Sequence, residues 1–390
     1  MDVRAIAVIG AQNDAIAEHG SNQLLSSIPY ALADVLGKPL VFRAIERLKE
    51  FDVQQVAVVT DAPTDLWPVG TAGNGTWICS TGEQLWKHAE HVFSDFAQNG
   101  AELVIVIRLG AYAEIDYSDL LQCHLDHHAP VTAAVDNEGV PFGTYVVSAS
   151  RRNHATHMFR SALRQFRAPC EPYLFSGYLN CLSSPNHLRQ LAIEGLMRRI
   201  QLTPEGEQVK PGVWVGRGAQ IHKRARVLSP AFIGAGSRVR AAAVITRCTA
   251  LEHNTVVDCG TVVENVTTLP YTYLGAGLDV THSVVGHSKL YNLKRDVEVE
   301  FADPRLIGEA SSHAPLRALG SLLSLASFFP AQLLRGLFAP SHRESPASLP
   351  QSIAVPATVL DSAPVQAKAP AVDAGEFPSQ LAIARRYGNE

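Results

Sequence analysis

An α/β sheet domain, then a left-handed parallel β-helix, then a partly disordered tail is the fold class that three observations predict. Short apolar β-rich runs alternate with amphipathic helical stretches from Met1 to about Arg199. A strict six-residue period runs from Gly212 to Tyr273, and beyond Gly308 the composition turns apolar and then rich in Pro, Ala and Ser. The boundaries follow as 1–205 for the α/β domain, 209–308 for the β-helix, 309–340 for an amphipathic apolar helix and 341–390 for a disordered tail with a short terminal helix.

In chain order, Val3 to Ile9 reads as a buried strand, because no basic segment followed by a long apolar core marks a signal peptide. In "GKPLVFRAIERLKEF" Leu40, Ile45 and Leu48 share one helix face, leaving Arg43, Glu46, Arg47, Lys49 and Glu50 to water. "QQVAVVTD" and "AELVIVIRLG" read as two further buried strands, and the helical stretch Gly82 to Gln98 precedes the second. Strands alternating with helices predict a parallel sheet covered on both faces, with ligands at the carboxyl ends of the strands. Those ends are 10–20, 60–65 and 108–116.

Every sixth residue from Val215 is a branched aliphatic: Ile221, Val227, Ile233, Val239, Ile245, Leu251, Val257, Val263 and Leu269 follow it. Four residues after each comes Ala219, Ala225, Ala231, Ser237, Ala243, Thr249, Thr255, Thr261, Thr267 and Tyr273, all small except the last. A hexapeptide β-helix has this signature, with the aliphatic filling a narrow interior and the small residue letting the corner turn. A sandwich would instead alternate with period two. "PYTYLG" (Pro270 to Gly275) is expected to cap the last coil, and Ser283 to Gly308 to return along the stack.

In Pro315 to Pro340, Leu316, Leu319, Leu323, Ala326 and Phe329 recur at helical spacing, with Arg317 and Arg335 at the ends. Its charge-free part, Ala318 to Leu334, contains Pro330 and is short for a membrane span, so it suits a helix lying on a membrane surface or docked on a partner protein. Ser341 to Gly375 has the composition of a disordered segment.

With 390 residues, 46% hydrophobic and 18% charged, the chain can bury a sizeable core. A net charge of −4 gives no overall basic footprint, which argues against nucleic acid as a partner. Six scattered cysteines without a C-x-x-C pair suit reduced thiols, hence a cytoplasmic protein, with the apolar segment allowing peripheral attachment at the inner membrane face.

The chain resembles the NDP-sugar pyrophosphorylases, such as mannose-1-phosphate guanylyltransferases. The resemblance covers about Asp2 to Gly308 and rests on Gly37 to Asp61, Glu102 to Val135, Tyr173 to Leu191 and the hexads. It implies a Rossmann-like nucleotidyltransferase domain ahead of the β-helix, and a bacterial role in sugar-nucleotide or surface-polysaccharide metabolism. Such enzymes join a nucleoside triphosphate to a sugar-1-phosphate, a reaction that needs positioning and neutralisation of phosphate charge. Three parts that supply it in the family are altered here. "GAQNDAIAEHGS" replaces the glycine-rich loop, Tyr30 stands where the lysine of P-K-x-L would, and Ala111 follows Gly110 where the metal aspartate would.

Losing one preorganised charge typically costs about 10²- to 10³-fold in rate. The leading expectation is therefore a catalytically degenerate member with a binding, regulatory or scaffolding role, retaining a nucleotide or sugar nucleotide as ligand. The candidate binding residues are Gly10, Asp14, Lys38, Arg108, Gly110, Asp116 and Gly177. An active nucleotidyltransferase would need substitute groups from Asp14, Glu18, Lys38, Arg108, Glu114 and Asp116, with Mg²⁺ as its cofactor; otherwise no cofactor is expected. A third reading, a hexapeptide acyltransferase, would draw a base from His222, His253, His282 or His287. His124 and His128 have metal-ligand spacing on a helix but no third ligand nearby, so no metal is assigned. β-Helix relatives commonly associate, so a homo-oligomer is expected.

Overall fold

The computed structural model describes residues 1–10, 23–25, 28–53, 55–149, 170–286 and 288–310. Asp14, Glu18, His287, the 315–340 segment and the 341–390 tail lie outside the described residues. The chain separates into two units, Met1–Leu322 and Leu323–Glu390, and every described residue belongs to the first.

An α/β layer begins that unit. Its sheet comprises β1 (Val3–Ile9), β2 (Gln55–Thr60), β3 (Thr76–Cys79), β4 (Leu103–Arg108), β5 (Val131–Val135), β6 (Pro141–Ser148) and β7 (Glu171–Leu174), in the order β7-β5-β6-β4-β1-β2-β3. β1 pairs in parallel with β2 and β4, whereas β6 runs antiparallel to both β4 and β5. The sheet is thus mixed, correcting the parallel expectation. The cause is local: the Asp136 carboxylate accepts the amides of Glu138 and Val140, and Gly139 at φ 81 lets the chain turn back beside β5.

Helices α1 (Leu40–Glu50) and α3 (Tyr117–His127) cover one sheet face, packing Ile45, Leu48 and Leu120 against Val58 and Ile105. Helix α2 (Leu85–Gln98) covers the other, setting Ala89 and Phe93 against Ile6 and Val104. Arg43 departs from its expected place in water. Its guanidinium donates to the carbonyls of Val35 and Leu36, and burial lowers its pKa.

From Val213 the chain winds through short strands that pair in parallel with residues eighteen further on. Val213 lies opposite Ala231, Gln220 opposite Arg238 and Arg226 opposite Val244. Three such strands close each coil. The register then tightens by one residue, placing Val257 opposite Leu274 and Val263 opposite Val280. The stack runs past "PYTYLG" into the strand Asp279–Gly286, which pairs in parallel with Val262–Thr268, so the expected cap at that motif is corrected. Ile307–Glu309 then returns antiparallel to Thr272–Leu274. Of the aliphatic column, Ile233 to Val263 are buried inside the stack, while Leu269 turns toward the α/β layer and Val266 takes the interior. Val215, Ile221 and Val227, in the first coil, are not fully buried.

A shared apolar cluster joins the two layers. Leu36, Leu191 and Leu196 from the α/β side meet Phe232, Ala250, Leu269 and Val284 from the coils. Helix α4 (Pro185–Leu196) is started there by the Ser184 hydroxyl, which accepts the His187 amide. Among the described residues no helix is long and apolar enough to cross a membrane.

Candidate functional site

Where α1 passes the carboxyl end of β4, a cavity of about 210 Å³ opens beneath Ala111 and Tyr112. Lys38, Arg43 and Arg47 line it together with Glu46, Glu50 and Glu205. The three cations are held by groups of the protein itself. Lys38 Nζ lies 2.7 Å from Glu205 and 2.9 Å from Glu46. Burial alone would lower its pKa, but the two carboxylates outweigh that and raise it. Arg47 donates through Nε and Nη2 to the Ile115 carbonyl and through Nη1 to Gln201. Arg43 uses Nη2 on the carbonyls of Val35 and Leu36, and its Nε has no hydrogen-bond partner among the described residues. Tyr112 donates to Glu114 at 3.2 Å; burial first, and Glu114 second, raise its pKa.

The cavity brings together two of the sequence-predicted residues, Lys38 and Ala111, and leaves the others among the described residues outside its lining. Gly10 follows β1, and Gly110, exposed, follows the end of β4. Arg108 is the last residue of β4. Its carbonyl is approached so closely by Gly143, at φ 98, that a Cβ there would stand 2.8 Å from it. Asp116 serves as the N-cap of α3, its carboxylate accepting the amides of Ser118 and Asp119. Gly177 sits on the Phe175 ring, and a Cβ added to it would meet that ring at 2.5 Å. Asp14 lies outside the described residues.

Tyr30 is 3% exposed and belongs to the apolar cluster with Leu25, Leu182 and Leu188. Burial raises the pKa of its phenol, and the nearby Tyr291 and Glu298 add to the shift. The two histidines with metal-ligand spacing do not converge. His124 is buried with its Nδ1 2.7 Å from the Thr132 hydroxyl and its Nε2 2.9 Å from the Ser148 hydroxyl, and His128 is the C-cap of α3. His253 bonds Asp34 at 2.5 Å, and the His222 Nδ1 accepts the Arg224 amide. Among the described residues no three His, Cys, Asp or Glu side chains are placed to hold a metal ion.

Sequence reasoning missed Arg43, Arg47, Tyr112 and Glu205 as lining residues. Arg43 and Arg47 stand four apart on α1, a stripe that could have been read as facing something other than water. Glu205 carries no local signal at all. Chemically, three cations against three carboxylates leave the lining without net charge, and the volume is below the roughly 300 to 1,000 Å³ of sites for drug-sized ligands. Such a lining can seat a small neutral polar molecule; it has no surplus charge for a triphosphate.

No protein-family model and no curated protein matches the chain. Among solved structures, HddC from Yersinia pseudotuberculosis is similar at 16% identity over 49% of this chain and 98% of its own, with a TM-score of 0.36. The same protein complexed with GMP-PN is similar at 15% identity, again over 49% and 98%, with a TM-score of 0.35.

Proposed function

We propose that this chain is a catalytically degenerate relative of the NDP-sugar pyrophosphorylases. In this reading the α/β layer is their nucleotidyltransferase domain and the coils are a left-handed hexapeptide β-helix. The layer binds the sugar-sized part of a sugar phosphate or sugar nucleotide, without turnover, in a regulatory or scaffolding role. One observation carries the reading: Tyr30, at the place of the family's phosphate-binding lysine, is sealed in an apolar cluster. A phosphate cannot reach that position, and no cation could stand there without being stripped of water. The eighteen-residue coil register, three hexads per turn, supports the β-helix part of the proposal. Attachment at a membrane surface through 315–340 and self-association belong to the same proposal.

A pyrophosphate-release assay with the common nucleoside triphosphates, sugar-1-phosphates and Mg²⁺ tests it. The expected turnover is below about 0.1 s⁻¹, against about 1 to 10³ s⁻¹ for typical enzymes, and a higher rate overturns the reading. A thermal-shift screen of sugar phosphates and NDP-sugars gives the positive result. Ligand at 100 times Kd stabilises by about 2.7 kcal/mol, and Arg43→Met is expected to reduce that shift.

A further inference from the structure

The charge of the chain is strongly segregated. From Gln208 to Leu251 there are eight Lys and Arg residues and no Asp or Glu, in a protein whose net charge is −4. This run forms the first two coils and the strand Glu207–Lys210 that leads into them. Arg240 and Arg247 are neutralised by Asp258 and Glu264. Lys210, Arg217, Lys223, Arg224, Arg226 and Arg238 are exposed and make no ion pair among the described residues.

Their setting is the open end of the stack. The strands Gln220–Ile221 and Arg226–Val227 bond only to the second coil, through Gln220 to Ser237, His222 to Val239 and Arg226 to Ala243. Nothing covers their other side among the described residues. Ile221, an interior position by its place in the repeat, is 38% exposed, and Val209 and Leu228 are each 51% exposed. The end therefore presents aliphatic side chains close in sequence to cations that make no ion pair among the described residues, with Glu207 on the leading strand.

We propose that this open first coil docks on an anionic lipid bilayer. Cations near such a surface are attracted by its negative potential, and adjacent aliphatic side chains enter the interfacial region. A two-fold contact between copies of this chain would instead set the same six cations against each other. Single-stranded nucleic acid favours aromatic stacking platforms, and Trp214 in the first coil is covered by the Arg198 guanidinium 5.0 Å from its centroid. The proposal is independent of the cavity and of the apolar segment 315–340.

Sedimentation of the full chain with phosphatidylcholine vesicles, with and without about 30 mol % phosphatidylserine, tests it. Binding is expected only with the anionic lipid and is expected to weaken steeply above about 0.15 M salt. The triple variant Lys223→Glu, Arg224→Glu, Arg226→Glu is expected to bind at least roughly 100-fold more weakly. Should that variant fail to fold, Lys223→Gln with Arg226→Gln reads the same effect with a smaller loss. Leu319→Asp with Leu323→Asp reports on the 315–340 segment, and loss on coil substitution supports the proposal whatever this second variant does. Equal binding to neutral vesicles, binding unaffected by the coil substitutions, or tighter binding to an RNA oligonucleotide than to the anionic vesicles would overturn it.

Discussion

Glu252 and Gly37 stand 215 residues apart in sequence, and Glu252 Oε2 accepts the Gly37 amide at 2.7 Å while Oε1 accepts that of Leu36 at 2.7 Å. The carboxyl group is fully buried and satisfies the tip of the Asp34–Pro39 hairpin, where Leu36 and Gly37 both have positive φ. Glu252→Ala leaves two buried donors without partners, at about 1–3 kcal/mol each, and Glu252→Gln keeps one acceptor. Urea denaturation should therefore rank the chain above Glu252→Gln and that variant above Glu252→Ala.

The same residue gives a pH dependence. Burial first and the Asp34 charge second push the Glu252 pKa up to about 8, against the pull of the two amides and His253. An unfolded glutamate titrates near about 4.3, so across that interval the folded chain holds a proton that the unfolded chain has released. The stabilising contribution is complete below about 4.3 and is lost as pH rises through about 8. His253 acts in the same direction: burial lowers its pKa, but the bond to Asp34 outweighs this and raises it. Melting temperatures at about pH 5 to 9 should fall more steeply for the parent chain than for Glu252→Gln. Parallel curves would show that Glu252 is ionised throughout.

His124 has the opposite sign. Burial pushes its pKa down to about 4, between the Thr132 and Ser148 hydroxyls. Its contribution is complete above about 6.5 and is lost as pH falls through about 4, because the unfolded imidazole takes up a proton first. His124→Gln should remove part of the acid sensitivity, read as a shallower loss of melting temperature between about pH 6.5 and 4.

Arg189, 2% exposed on α4, donates to the Cys248 carbonyl at 2.6 Å, Asn265 at 2.7 Å and Thr267 at 3.0 Å. Burial lowers its pKa to about 10, and it remains charged at neutral pH. Arg189→Met strands these neutral acceptors and is expected to destabilise by about 1–3 kcal/mol for each one left unpaired, an effect that chemical denaturation would read. Arg189→Lys should recover only part, since a point ammonium cannot reproduce the forked guanidinium.

Tyr30→Lys restores the residue type of the resembled family at the cost of an ammonium placed among Leu25, Leu182 and Leu188. The expected result is a loss of several kcal/mol of stability with no pyrophosphate release. A well-folded and active Tyr30→Lys chain would show that the position still faces a phosphate.

Local pattern carried much of this fold. The strands β1, β2 and β4 and the helix α1 were legible because their apolar periods are complete within a dozen residues. The β5–β6 hairpin is legible in principle from "DNEG" between two apolar runs, a turn signal that strand–helix alternation alone does not register. Glu252 and Arg189 were not legible. Within "LEHNTV" or "HLRQL" nothing indicates which distant backbone a charged side chain will meet. The candidate site was only partly legible for the same reason: Lys38 was found, but its partner Glu205 comes from a distant segment. Overall net charge hid the basic first coil, because acidic residues elsewhere in the chain outnumber it.

The apolar cluster around Leu36, Leu191, Phe232 and Leu269 has a consequence for dissection of the chain. Each half supplies one wall of a single interior, so a fragment ending near residue 205 would display Tyr30, Leu36 and Leu191 to solvent and strand the Leu36 and Gly37 amides. The two halves thus share one interior, and either expressed alone is expected to lose stability and expose apolar surface.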